Sequence, residues 1–81
     1  MDASVFVRQP NAFEYTRLGA RKFSVLPRHD EYFSADFEGA KKYFQVLAVC
    51  HPENEGAAEI YAVQAEPPWL VKKARSIGFG A

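Results

Sequence analysis

In the stretch "VCHPENEGA", residues 49–57, the only cysteine of the chain stands beside one of its two histidines. A cysteine nucleophile needs a base within hydrogen-bond reach and a lowered pKa. Neighbours in a strand cannot supply this to each other, because successive side chains point to opposite faces. Cys50 is therefore expected to share a face with Phe44, Val46 and Ala48 and to pack there as a small apolar group. His51 is expected at the mouth of the strand, where its ring meets water. The other histidine opens "RHDEY". Zinc takes three or four ligands, commonly in closely spaced pairs. His29, Asp30 and Glu31 meet that need only if the fold brings them to Cys50 and His51, and no CxxC or HxH spacing supports it. The carboxylates Asp30, Glu31, Asp36 and Glu38 are close in sequence, but a charge-rich turn is ordinarily solvated. "SIGFGA" contains GxG without the following helix that a phosphate loop requires. The sequence thus points to no catalytic residue, no metal ligand set and no cofactor.

The stretch "FEYTRLGARKF" is more suggestive. Phe13, Tyr15 and Phe23 are interleaved with Arg17, Arg21 and Lys22, and Arg28 follows. Single-stranded nucleic acid is held by bases stacking on aromatics while cations track the backbone. The same residues also describe a core with a cationic edge strand, a common guard against aggregation. Trp69, the only tryptophan, follows Pro67 and Pro68 and lies beside a stripe of Leu70, Ala74 and Ile77 at helical spacing. Lys72 and Arg75 fall opposite that stripe. Trp and Arg dominate interface energies, so these three residues join the binding candidates.

The elements that must position these groups are mostly strands. "SVFVR" reads as a strand stopped by Pro10 and Asn11. "AFEYTR" alternates with a period of two, Phe13 and Tyr15 on one side; a helix near 12–20 capped by Asn11 is the alternative. Gly19 interrupts, and "RKFSVL" alternates again until Pro27. "DEYFSADFEGAKKYF" reads as two strand ends about a turn at "FEGA", where Gly39 takes a positive φ. "KKYFQVLAVCHP" has almost no polar residue between 43 and 50, as in a strand buried on both sides. "AEIYAVQAE" is a further strand, and "PPWLVKKARSIG" reads as a helix with Pro68 in its first turn and Gly78 as its stop. The sum is a mainly β domain. It is expected as a small open barrel or curled antiparallel sheet of five or six strands, SH3-like or Sm-like, with one short C-terminal helix; the alternative class is α+β.

Length and composition bound the function. Eighty-one residues make one domain, spanning 1–81, and 48% hydrophobic with 15% aromatic residues exclude disorder. A chain this short buries roughly 60% of its unfolded surface, so association with a partner adds useful stability. One cysteine makes no internal disulfide and suits a reducing cytoplasm. No stretch is long and apolar enough for a membrane helix, and Met1 reads as a true start without a signal peptide. Formal net charge is zero but segregated: +3 over residues 1–28, −6 over 29–66, and +3 over 67–81. Such segregation bears on partners. The expectation is a small soluble non-enzymatic module working through protein–protein contact, with itself as a homodimer or with a larger partner. Its contact surface is expected at the edge strand near 13–17 and the Trp69 helix. Single-stranded nucleic-acid binding is the alternative.

Overall fold

The computed structural model describes residues 1–53 and 56–66. It contains five strands: β1 (Asp2–Arg8), β2 (Thr16–Lys22), β3 (Tyr32–Phe37), β4 (Ala40–Cys50) and β5 (Ala58–Ala65). They form one sheet in the order β2-β1-β5-β4-β3, curled into an open half-barrel. Neighbours run antiparallel except the central pair β1 and β5, which run parallel. A parallel pair needs a long connection, and here the whole of β2, β3 and β4 intervenes between its two strands. No helix occurs among the described residues, so none crosses a membrane. The expected C-terminal helix lies outside them.

The core follows from alternation. In β1, Ala3, Val5 and Val7 are buried and point into the curl; in β5, Ala58, Ile60 and Ala62 do the same; β4 adds Phe44 and Val46, and β3 adds Phe33. Because the side-chain period is two, Ser4, Phe6 and Arg8 must face outward, as must Glu59, Tyr61 and Val63. One apolar face packs inward and the other meets solvent, as is usual for sheets with antiparallel edges.

The turn at "FEGA" is a two-residue hairpin closed by the pair Phe37 and Ala40. Glu38 and Gly39 both take positive φ, 53° and 79°, the signature of the turn whose twist matches a hairpin. β5 occupies its expected stretch. Four other expectations are corrected. Residues 9–15 form a loop rather than a strand or helix: Ala12 N donates to Gln9 O at 3.1 Å, and Arg8 Nη1 holds the carbonyls of Gln9, Pro10 and Ala12 at 3.1–3.3 Å. Phe13 and Tyr15 therefore sit on that loop. The strand expected over "RKFSVL" stops at Lys22: beyond it Phe23 pairs with Met1 through both backbone groups, at 2.7 and 2.6 Å, and the chain then leaves the ladder as the connection to β3. Gly19 does not interrupt β2 but lies within it at φ 98°, where the register slips between Val5 and Phe6. Such a bulge bends the strand and increases its twist.

The fourth correction concerns β4, which is not buried on both sides. Its outer side chains Tyr43, Gln45 and Leu47 are half-buried, and Ala48 and Cys50 are exposed. A register shift between Val46 and Ala48 leaves Leu47 as an extra residue. Beyond it the alternation inverts. Val49 opposes Ile60 and packs on the core, while Cys50 opposes Glu59 and points outward. The thiol therefore does not share the face of Phe44 and Val46.

Candidate protein-binding seam and outer aromatic face

The residues with chemical potential are dispersed. Cys50 and His51 are both exposed at one end of β4. His29 Nδ1 lies 3.3 Å from Asp30 Oδ2, an exposed pair on the connection before β3. Among the described residues no cluster of three or more potential metal ligands forms. Glu31 is occupied structurally: its Oε1 accepts from Arg28 N at 2.6 Å, and its carbonyl and the Asp30 amide pair with Val46 at 2.9 Å, extending the β3–β4 ladder. Glu38 sits in the hairpin turn, and Asp36 faces outward opposite Lys41.

The binding candidates divide between surfaces. Phe13 is 98% exposed and Tyr15 39% exposed on the loop before β2. Arg17 points outward opposite Phe6. Lys22 points the same way at the far end of the strand, and Arg28 is exposed on the loop between β2 and β3. Arg21 points the other way, into the curl, opposite buried Ala3. Phe23 packs against the core. The structure thus unites Tyr15 and Arg17, and separates both from Arg21 and Arg28. Trp69, Lys72 and Arg75 lie outside the described residues.

Two residues that the sequence reading left out complete the outer cluster. Phe6 and Tyr61, on the parallel pair β1 and β5, stack with centroids 5.1 Å apart and planes 13° apart. Tyr15 meets Tyr61 edge-on at 5.4 Å. The signal was present in the alternation: Phe6 falls between outward Ser4 and Arg8. It is hidden because the flanking valines make "VFV" look uniformly apolar. The Tyr61 hydroxyl donates to Glu59 Oε1 at 3.0 Å. That bond, then desolvation and the Glu59 charge, push the Tyr61 phenol above 10.0. A raised native pKa means the fold favours the neutral phenol. Its contribution is complete below the unfolded value and lost as pH rises through the native one. Glu59→Gln should lower the pKa of the Tyr61 phenol, read by absorbance titration of the native and variant chains in alkali.

The second feature is the seam. β2 and β3 are the two ends of the sheet order, and each has a ladder on one side only. The curl turns these edges toward each other. Phe23 meets Phe33 edge-on at 5.5 Å, and Arg21 Nη2 reaches Asp36 O at 3.4 Å. Between the edges runs a groove of about 490 Å³, with 21–24 on one wall and 33–36 on the other. It continues into a second groove of about 480 Å³ between 23–27 and 31–33, where Val25 is 75% exposed. Unpaired strand edges are ready templates for another chain. Comparison with family models, with curated proteins and with solved structures returned no match.

Proposed function

We propose that this domain is a protein-binding module that acts by taking an extended segment of a partner along its free strand edges, without catalysing a reaction. The observation that carries the reading is the pair of unpaired edges, β2 and β3, facing one another across a groove floored by Phe23 and Phe33. In strand addition, backbone hydrogen bonds supply affinity and pockets for alternate side chains supply specificity. Phe13, Tyr15 and Val25 add exposed apolar contact at the two ends of β2. The SH3-like label is an analogy of architecture and carries no partner with it. A free, exposed thiol at Cys50 suits a reducing compartment such as the cytoplasm. Selection from displayed random heptapeptides tests the reading. Binders are expected, and on titration they should shift the amide resonances of 16–22 and 32–37. A selection that yields no binder, or shifts confined to other strands, contradicts it.

A second reading rests on the outer face. Phe6, Tyr15 and Tyr61 with Arg17 form an aromatic platform with one cation, the elements of single-stranded nucleic-acid binding. It ranks second because the Glu59 carboxylate is bonded to Tyr61 on that same face, because Arg21 points into the curl, and because Arg28 lies on the loop between β2 and β3. Binding of a labelled oligonucleotide that weakens with salt supports it; no binding at low salt rejects it.

A further inference from the structure

The seam has a chemical preference, and we infer that its partner is an extended segment carrying a carboxylate side chain directed inward at Arg21. This deepens the strand-addition reading and rests on it. Arg21 is half-buried and lines the groove. A guanidinium offers five N–H donors. Here Nη2 makes two long contacts, to Leu18 O and Asp36 O, both at 3.4 Å, and Nε is buried without an acceptor. Among the described residues no carboxylate forms an ion pair with it. A charge withdrawn from water is stabilised only by a partner, and planar guanidinium suits a carboxylate in two-point contact.

The rest of the edge has the same sign. Arg17 and Lys22 flank Arg21 on β2, and β2 carries no acid. On the facing wall β3 carries one charge, Asp36, whose side chain takes the outer side of the sheet opposite Lys41 and so does not share the inward side of Arg21. An inserted strand therefore meets cations along one edge and apolar rings beneath it. Two occupants from the chain itself fit poorly. Residues 67–81 contain Lys72, Lys73 and Arg75 and no acid. A second copy would offer either β2, of like charge, or β3, whose inward side chains are committed to its own core. An acidic foreign strand is the complementary occupant.

Three capped peptides test this on the full chain: Thr-Val-Thr-Glu-Thr-Val-Thr and its variants with Gln or Lys at the centre. Two valines and the central residue share one face of an extended peptide. The Glu peptide should bind about tenfold tighter than the Gln peptide, as expected for a charged hydrogen bond at a partly desolvated site. The Lys peptide should bind weakest. In Arg21→Gln the Glu and Gln peptides should bind alike, with the Gln peptide's affinity kept, which shows that the groove is intact. Equal binding of all three to the native chain overturns the carboxylate preference and leaves strand addition standing. If none binds, strand addition itself falls, and this inference with it. A dimer of the unliganded chain that Arg21→Gln dissolves gives the groove to a second copy and overturns the inference as well.

Discussion

Replacing Phe44 with alanine should cost the domain about 3–5 kcal/mol, the usual penalty for emptying an aromatic site in a packed core. Phe44 is fully buried on β4. It stacks on Phe33 at 5.4 Å and meets Phe37 edge-on at 6.2 Å, and Phe33 in turn meets Phe23. This row of rings links the end of β2 to both strands of the β3–β4 hairpin, and so holds the curl that opposes the two free edges. At about 0.05–0.15 kcal/mol per residue, an 81-residue domain has only ~4–12 kcal/mol in total. Phe44→Ala should therefore leave a chain that is largely unfolded, or one whose urea midpoint falls steeply with little change in slope. Phe13→Ala, at a site 98% exposed, should stay within about 0.5 kcal/mol of the native chain. Comparable losses for both variants would mean that the ring row does not organise the core.

A charge placed in the other half of the core should be worse. Val5 is fully buried and lies on β1, between β2 and β5, so it has no route by which a longer side chain could reach water. No polar or charged residue is among the buried ones described. Burying a lone carboxylate carries a penalty of several kcal/mol even after relaxation, so Val5→Asp should be unfolded at neutral pH by circular dichroism. The direction with pH is fixed by linkage. Burial would raise the native pKa of the new carboxyl above its unfolded value, so the variant gains relative stability as pH falls and the group is neutralised. Partial refolding in mild acid, relative to Val5→Ala, is the expected result. A folded Val5→Asp at pH 7 would show that β1 is not enclosed.

Much of the fold was legible because local chemistry and global packing agreed. The "FEGA" turn, the strand before it and the strand at 58–65 needed only alternation and one glycine with positive φ. What was not legible was set by partners distant in sequence. β2 ends at Lys22, and its last contact with the neighbouring strand is the backbone pair of Phe23 with Met1, residues far apart in the chain; no property of "RKFSVL" announces that. The inversion of β4 at Leu47 is a bulge against β5; "QVLAVC" reads as a uniform apolar run with or without it, and so the side taken by Cys50 was not available. The candidate site was legible only in part. Arg17 and Tyr15 belong together on the outer face, but Arg21, four residues from Arg17, points to the opposite face. The glycine bulge between them accounts for this, since an uninterrupted strand would place both on one side. Phe6 and Tyr61 come together only through the parallel pairing of β1 with β5, a contact between residues far apart in the chain.

The central claim is that β2 and β3 together accept one extended strand. Backbone hydrogen exchange of the full chain, with and without the Glu-centred peptide, tests it most directly, because an inserted strand must engage amides on both edges at once. The account predicts slowed exchange within 16–22 and within 32–37 when peptide is bound, with β1 and β5 already slow in its absence. Slowing on only one of those edges, or on neither while the peptide is bound, would contradict it.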